Sequence, residues 1–325
     1  MSSNSAIMSP MKKPVIYIVL PCYNEEAILG DTVNQLNAKL SQLIKSNKIS
    51  SLSRLVFVDD GSRDQTWNII TDSSKVSNLV LGLKLSRNRG HQNALIAGLL
   101  YAKERADAVI SMDADLQDDI HAIETFIDQF KNGFEIVYGV RSSRATDTVF
   151  KRGSAELFYK IMLRLGVDII YNHADYRLMS NRALQELANY NEVNLFLRGI
   201  IPLIGLRSTT VEYARSERIA GESKYPLKKM LAFAFDGVTS FSVKPIRFIL
   251  TIGFFVFIVS LVFLTYIITQ SLFGNTVPGW SFIACSLWIL GGIQMMSIGL
   301  IGEYIGKIYA ETKSRPRYMI EQTIE

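Results

Sequence analysis

The chain has 325 residues, two cysteines and a formal net charge of +5. Cys22 follows a predicted strand and Cys285 lies in a long apolar run, so a structural disulfide is not expected. The positive charge lies largely beside the apolar C-terminal segments, and no run interleaves aromatic with basic residues. This pattern excludes nucleic acid as the expected partner and favours anionic lipid headgroups or a phosphorylated lipid.

The N-terminal part predicts a strand followed by a helix. Residues 1–13 have no apolar core, so a flexible N-terminus without a signal peptide is expected. Residues 14–20 predict the first strand, and Asn24 is placed to cap a helix with Glu25 and Glu26 in its first turn. One face of this helix is apolar at intervals of three and four residues, formed by Ile28, Leu29, Val33, Leu36, Leu40, Leu43 and Ile44.

Two further strands lead into polar residues in the same way. Residues 55–58 predict a strand that ends at Asp59-Asp60-Gly61-Ser62. Residues 79–85 predict another, which ends at Ser86-Arg87-Asn88-Arg89-Gly90, and His91 is interpreted as a helix-start residue. Strands that alternate with helices predict an α/β fold with a mostly parallel sheet and helices on both faces.

The next strand runs into a cluster of carboxylates. Residues 108–110 are apolar, and Asp113 and Asp115 follow two residues apart, on one side if the chain stays extended. Two like charges on one side favour a hard divalent cation, with the amide oxygen of Gln117 as a further ligand. A polar turn after a strand is the competing interpretation.

Three later segments have helix or strand patterns. Residues 135–140 predict a strand that ends at Arg141, and residues 148–165 a helix that carries Arg152. Residues 226–241 predict a helix with Lys228 and Lys229 beside an apolar face. Its proximity to an apolar segment favours a place in the lipid headgroup layer over an ordinary core helix.

The C-terminal part predicts two membrane spans. From Phe248 to Gly302 the chain has no Asp, Glu, Lys or Arg. This stretch divides into segments at 247–270 and 278–302, each long enough to cross a bilayer. Basic residues flank the pair and the connection is uncharged, so both termini should face the cytoplasm. A buried hairpin in a large soluble core is the alternative.

The carboxyl edge of the predicted sheet collects groups that suit a nucleotide. Carboxylates with a cation can hold a diphosphate, and Asp59 or Asp60 can accept from a base or ribose. The Gly-x-Gly-x-x-Gly fingerprint after the first strand and a phosphate loop ending in Gly-Lys-Ser/Thr are both absent. A hydride-transfer enzyme and a nucleoside triphosphatase are therefore not favoured.

Several motifs resemble those of family 2 glycosyltransferases, in the same order. They are Leu20-Pro21-Cys22-Tyr23-Asn24-Glu25-Glu26, Val58-Asp59-Asp60-Gly61-Ser62-Arg63-Asp64, Ser86-Arg87-Asn88-Arg89-Gly90-His91-Gln92, Met112-Asp113-Ala114-Asp115-Leu116-Gln117 and Asp175-Tyr176-Arg177-Leu178. Together with Arg218-Ile219-Ala220-Gly221-Glu222-Ser223-Lys224-Tyr225 and the two spans, the chain resembles the polyprenyl-phosphate branch. That branch includes dolichyl-phosphate mannose synthases and bactoprenol glucosyltransferases, and the resemblance covers nearly the whole chain.

The resemblance implies a role for each matching position. The nucleotide would be held by Pro21, Tyr23, Glu25, Asp59 and Asp60, and Mg²⁺ or Mn²⁺ by Asp113, Asp115 and Gln117. The lipid phosphate would be received by Arg141 and Arg152, with Arg218, Ser223 and Lys224 in the same acceptor region. Asp175 and Arg177 would line the donor-sugar side, so the catalytic set is Asp115, Arg141, Arg152, Asp175 and Arg177. Two positions depart from the family: Asp119 stands where a proline is common, and Arg89 where an aromatic residue is common.

The resemblance also implies the domain order. The chain would comprise a flexible N-terminus at 1–13 and a cytosolic GT-A-like nucleotide-sugar-binding domain at 14–225. An interfacial amphipathic helix at 226–246, two transmembrane helices within 247–303 and a basic tail at 304–325 would follow. The expected location is the cell membrane, with the catalytic domain in the cytoplasm.

The implied activity is inverting transfer of a monosaccharide from a UDP-sugar to polyprenyl (undecaprenyl) phosphate in cell-envelope synthesis. Glucose and N-acetylglucosamine are the favoured sugars. A processive polysaccharide synthase is one alternative, although the chain lacks a Gln-x-x-Arg-Trp motif. A non-catalytic nucleotide-sugar-binding scaffold is the other. The lipid bilayer is an expected partner. A second copy of the chain in a homo-oligomer, a flippase and a downstream transferase are further possible partners.

Overall fold

The computed structural model describes residues 13–142, 173–192, 196–214 and 280–325, together with isolated positions between 246 and 273. The strands in this part of the chain are β1 Ile16–Cys22, β2 Arg54–Asp59, β3 Val80–Leu85, β4 Ala108–Ser111, β5 Ile136–Arg141, β6 His173–Ser180, β7 Ser208–Tyr213 and β8 Ile320–Ile324. The helices are α1 Leu29–Lys45, α2 Thr66–Val76, α3 His91–Lys103, α4 Ala122–Lys131, α5 Asn181–Ala188, α6 Leu197–Leu203 and α7 Trp280–Thr312. Helix α7 belongs to one compact unit, and the other named elements belong to a second.

The described strands form one mixed sheet in the order β7-β5-β6-β4-β1-β2-β3-β8. Strand β1 is parallel to β2 and β4, β2 to β3, and β5 to β7. Strand β6 is antiparallel to β4 and β5, and β8 to β3. The mostly parallel α/β sheet is thus confirmed. Because β1 lies between β2 and β4, the chain order reverses there, and such a reversal opens a ligand crevice at the carboxyl ends of the strands.

Helix α1 covers the sheet with the predicted apolar face. Leu29, Leu36 and Leu40 are fully buried, as expected from their spacing. The predicted cap is wrong, however, because α1 begins at Leu29. Asn24 instead has a left-handed backbone with φ of 53°, and its side chain accepts a hydrogen bond from the backbone N–H of Arg63. The residues between Asn24 and α1 therefore form part of a loop at the sheet edge.

Strand β8 extends the sheet on the side of β3. Gly82, Leu83 and Lys84 of β3 pair with Ile324, Thr323 and Gln322 of β8, and Lys84 also forms an ion pair with Glu321 at 3.7 Å. The sequence pattern alone does not predict this C-terminal strand. This segment forms a strand because it pairs with β3, which is distant in the chain. Without β8, β3 would be an edge strand with unpaired backbone N–H and C=O groups.

The predicted membrane spans are not supported by the described part of the chain. There, no helix combines the length and the hydropathy needed to cross a membrane. The predicted span at 278–302 overlaps α7, whereas the span at 247–270 is described only at isolated positions. Both spans stay predictions. The predicted helices at 148–165 and 226–241 lie outside the described residues, as do Arg152, Arg218, Ser223 and Lys224.

Candidate active site

Two loops at the carboxyl ends of β1 and β2 are joined by hydrogen bonds from backbone amides to side chains. Ser62 Oγ accepts from the N–H of Asn24 at 3.0 Å, and Asn24 Oδ1 accepts from the N–H of Arg63 at 2.9 Å. Thr66 Oγ1 accepts from the N–H of Glu25 at 2.9 Å. The loop with the predicted nucleotide ligands Tyr23 and Glu25, which follows Pro21 at the end of β1, is therefore held against its neighbour.

Gly61 permits close contact between the β2 loop and the loop after β3. Its φ is +67°, and a Cβ there would lie 2.6 Å from the carbonyl carbon of Arg87 and from the amide nitrogen of Asn88. Only glycine fits this combination of a left-handed backbone and close approach. The Gly61 backbone thus determines the separation of two loops that face the crevice.

Asp59 and Asp60 have different surroundings, although both are buried. Asp60 accepts from the backbone N–H groups of Arg89 and Gly90 at 2.7 and 2.9 Å, so its carboxylate anchors the loop after β3. Asp59 accepts from the N–H of Ser62 at 3.1 Å, and no donor among the described residues reaches its Oδ2. Burial raises the pKa of both carboxyls, and these hydrogen bonds oppose the shift. Of the two, Asp59 is therefore the one that keeps a carboxylate oxygen which no described donor reaches.

The acidic motif after β4 forms a turn. Strand β4 ends at Ser111, and Leu116 has a left-handed backbone with φ of 54°, which is rare for a bulky residue and is concentrated at functional sites. Asp115 Oδ1 accepts from the N–H of Gln117 at 3.2 Å, and Thr32 of α1 donates to the carbonyl of Ala114 at 2.8 Å. The chain does not stay extended through this motif, so the condition under which Asp113 and Asp115 would share one side is not met, and the competing prediction of a polar turn describes the backbone.

His91 lies between two carboxylates. Its Nε2 is 3.7 Å from Oδ1 of Asp113 and 3.8 Å from Oδ2 of Asp175. Burial raises the pKa of Asp113, as do the charges of Asp175 and Asp115, whereas His91 and Arg198 lower it. His91 begins α3, as expected, but it also takes part in the charged cluster of the site.

Asp175 is held by two arginines. Arg177 donates to its Oδ1, and Arg198 donates to Oδ1 at 3.3 Å and to Oδ2 at 3.1 Å. Burial raises the pKa of Asp175, but the charges of Arg198 and Arg177 outweigh it and hold this pKa well below its usual range. Asp175 therefore remains ionised at neutral pH and is poorly suited to take up a proton.

No motif in the sequence predicts Arg198 as a site residue. It lies on α6, outside the recognised motifs, and reaches Asp175 on β6 only through the fold. One signal was available, because Arg198 is the only charged residue between Asn194 and Leu206. A lone arginine in an apolar segment is costly unless it is paired or reaches solvent, so it suggests a specific partner.

The predicted acceptor residue Arg141 ends β5 beside two other missed residues. Its Cα pairs with Tyr213 of β7. The hydroxyl of Tyr213 donates to Oδ1 of Asp118 at 2.6 Å. Burial raises the pKa of Asp118 to about 6, and Asp113 adds to the shift, whereas Tyr213 and Arg141 oppose it.

Comparisons with known proteins identify the family of the chain. The family model described as "Glycosyl transferase family 2" matches residues 17–188. The chain belongs to glycosyl transferase family 2. It is 54% identical over 309 residues to "Uncharacterized glycosyltransferase YkoT" of Bacillus subtilis (strain 168), covering 95% of this chain and 92% of the relative. It is also 40% identical over 311 residues to "Bactoprenol glucosyl transferase" of Shigella phage SfX, covering 94% and 98%. The resemblance found in the sequence is thus confirmed.

Family 2 glycosyltransferases generally use a divalent cation. Within the described ranges, no group of three or more His, Cys, Asp and Glu side chains could hold a metal ion by itself. Asp113 and Asp115 supply two carboxylates, and Gln117 supplies an amide oxygen. These ligand types suit a cation such as Mg²⁺. Such a cation is usually bound by one or two carboxylates together with substrate phosphates.

Proposed function

We propose that this family 2 glycosyltransferase transfers one sugar from a UDP-sugar to a polyprenyl phosphate, with undecaprenyl phosphate as the acceptor. Glucose is the first donor sugar to test, because the relative from Shigella phage SfX is named a bactoprenol glucosyl transferase. N-acetylglucosamine is the second.

The observation that carries the proposal is the division of charge along the crevice. Asp113 and Asp115 follow β4, next to β1, where a cation and a diphosphate would lie. Arg141 ends β5, while Arg177 of β6 and Arg198 of α6 are ion-paired with Asp175. The carboxylates after β4 suit a metal-bound donor, and the guanidinium group of Arg141 suits a phosphate acceptor.

The reaction joins a phosphate oxygen of the acceptor to the anomeric carbon of the sugar and breaks the bond from that carbon to the UDP oxygen. Attack from the opposite face inverts the anomeric centre. The acceptor oxygen is already anionic near pH 7, so no strong general base is required. A bound divalent cation would stabilise the charge on the leaving diphosphate.

The residues of this chain then have positioning and electrostatic roles. Asp59 accepts from the nucleotide, while Asp60 holds the loop after β3 in place. Arg141 binds the acceptor phosphate, because a guanidinium group forms two parallel bonds to such an anion. Asp175 remains a fixed negative charge that orients Arg177 and Arg198, and it transfers no proton.

A membrane location suits a polyprenyl acceptor, whose phosphate lies at the bilayer surface. We place the catalytic domain at the cytoplasmic face, with an interfacial helix at 226–246 and spans at 247–270 and 278–302. The uncharged stretch from Phe248 to Gly302 supports these spans. Leu287, Met295 and Ile298 of α7 are 65%, 70% and 62% exposed, which suits lipid contact.

A donor screen tests the proposal. The purified full chain is incubated with undecaprenyl phosphate, Mn²⁺ and each of a panel of radiolabelled nucleotide sugars, and label is measured in the organic phase. UDP-glucose or UDP-N-acetylglucosamine should give the lipid-linked product. Transfer from no UDP-sugar, with a bactoprenol glucosyl transferase active in the same assay, would overturn the proposal.

A further inference from the structure

A buried hydrogen bond joins two residues near the candidate acceptor arginine. Asp118 and Tyr213 are each only 3% exposed, and they are joined at 2.6 Å between the hydroxyl and Oδ1. Neither residue belongs to the predicted donor, metal or acceptor sets. A bond this short between a phenol and a carboxylate is of the strong, charge-assisted kind.

The register of the sheet places this bond beside Arg141. Arg141 of β5 and Tyr213 of β7 are direct cross-strand partners, and the N–H of Ser142 donates to the carbonyl of Tyr213 at 3.0 Å. Burial raises the pKa of both Asp118 and Tyr213, and the charge of Arg141 opposes the rise in each. The three side chains therefore form one electrostatic unit at the carboxyl end of β5 and β7.

The ring of Tyr213 is fixed by its neighbours. It packs edge-on against Tyr176, with ring centroids 5.2 Å apart. A Cβ at Gly139 would lie 3.0 Å from Cε1 of Tyr213 and 2.8 Å from the carbonyl oxygen of Tyr176, so glycine is required there. With its ring restrained on both sides, the Tyr213 hydroxyl holds one position.

Two buried polar atoms in this cluster lack a partner among the described residues. They are Oδ2 of Asp118 and Nε of Arg141. A buried carboxylate oxygen and a buried guanidinium nitrogen are costly to leave unpaired, and such atoms in a native fold often serve a function. Here they coincide with the residue that the proposed function assigns to the acceptor phosphate.

We infer that Asp118 and Tyr213 are a positioning pair that orients the guanidinium group of Arg141 toward the phosphomonoester of the lipid acceptor. The inference rests on the proposed function, because it takes Arg141 as the phosphate ligand. Asp118 supplies a countercharge from behind, and Tyr213 fixes that carboxylate. The remaining donors of Arg141 are then presented to the phosphate in one orientation, which lowers the entropic cost of binding.

The test measures two KM values for the full chain, one for undecaprenyl phosphate as the acceptor and one for the nucleotide sugar as the donor. Tyr213→Phe keeps the ring but removes the hydroxyl, and Asp118→Asn keeps the shape but removes the charge. Each should raise the KM for the lipid phosphate by about fivefold to tenfold and leave the KM for the nucleotide sugar unchanged. Tyr101→Phe is the matched control, since its hydroxyl donates to Glu325 at 2.7 Å near the opposite end of α3 and should not affect either KM.

A double-mutant cycle distinguishes positioning from general support of the fold. In an Arg141→Ala background, Tyr213→Phe should raise the acceptor KM no further, because its effect acts through Arg141. Additive effects, or equal increases in both KM values, would overturn the positioning role. An unchanged acceptor KM for Arg141→Ala alone would instead overturn the acceptor assignment on which the inference rests.

Discussion

The sheet edge has two halves, called the donor half and the acceptor half after the proposed function, and they are held by different interactions. Asp175 and Arg177, for which the resemblance implies the donor-sugar side, are counted by their strand position in the acceptor half. In the donor half, formed by the loops after β1, β2, β3 and β4, side chains bind backbone amides, as Asp60 does with Arg89 and Gly90. In the acceptor half, formed by the ends of β5, β6 and β7, side chains bind one another, as Asp175 does with Arg177 and Arg198. The donor half should therefore be sensitive to changes in backbone geometry, and the acceptor half to changes in charge.

The largest effect is expected at Asp115, where the two halves meet. Asp115→Ala should reduce divalent-dependent transfer by about a hundredfold or more while the protein still folds, because a group that stabilises leaving-group charge is lost. Transfer rates with and without a chelator provide the measurement.

Asp128→Ala is the matched control for that change. Asp128 is a half-exposed acid on α4 that pairs with Lys48 at 3.4 Å, away from the motif. It should retain the wild-type rate and metal requirement. Full activity of the Asp115→Ala protein in chelator would contradict the cation assignment.

Asp175→Asn should break the acceptor half. Arg177 is 1% exposed and would lose its countercharge. The free energy of unfolding should therefore fall by about 3 kcal/mol or more. The melting temperature provides the measurement, and Asp72→Asn, in an exposed ion pair with Lys75, should leave it unchanged. An Asp175→Asn protein as stable as the wild type would show that the ion pair between Asp175 and Arg177 does not stabilise the fold.

The stability lost in Asp175→Asn should depend on pH in one direction. The folded pKa of Asp175 lies below its unfolded value of about 3.9, so its contribution is fully present above that value and is lost as the pH falls through the folded pKa. The difference in melting temperature between wild type and Asp175→Asn should not shrink between pH 8 and pH 6, and it should shrink only below about pH 4. A difference that shrinks between pH 8 and pH 6 would contradict the ion-pair account.

Gly61→Ala should perturb the donor half through the backbone. The left-handed φ and the 2.6 Å approach to Arg87 and Asn88 should cost about 1–3 kcal/mol of strain and raise the KM for the nucleotide sugar more than that for the lipid. Gly30→Ala is the control, because a Cβ there meets no atom within 4 Å. A larger increase in the acceptor KM would reverse the assignment of the two halves.

Ser62→Ala should have the smallest effect. It removes one acceptor for the N–H of Asn24, worth about 1 kcal/mol, and should raise the donor KM only several-fold. Ser73→Ala removes a hydroxyl that binds the carbonyl of Ile69 within α2 and should leave the donor KM unchanged. Equal donor kinetics for the two variants would show that the loop is held by other contacts.

Local patterns were enough to predict the donor half. The strands β1 to β4 are short apolar runs, and the buried face of α1 follows from its spacing, so Asp59, Asp60, Asp113 and Asp115 could be placed at one edge from the chain alone. The Asn24 cap was wrong because a left-handed residue at the crevice resembles a helix start in sequence.

The acceptor half depends on contacts between distant parts of the chain. Asp118 meets Tyr213 across 95 positions and Asp175 meets Arg198 across 23, and neither separation has a periodic signature. Strand β8 was missed for the same reason, because its partner β3 lies more than two hundred residues earlier. Pairings of this kind are determined by topology and burial, which only the folded chain makes visible.

The mass of the lipid product tests the central claim most directly. The full chain is incubated with UDP-glucose, undecaprenyl phosphate and Mn²⁺, and the organic phase is examined by mass spectrometry. The proposed function predicts undecaprenyl phosphate heavier by a single hexose, with formation sharply reduced in Arg141→Ala. A ladder of longer glycans, or free glucose without a lipid-linked product, would contradict it.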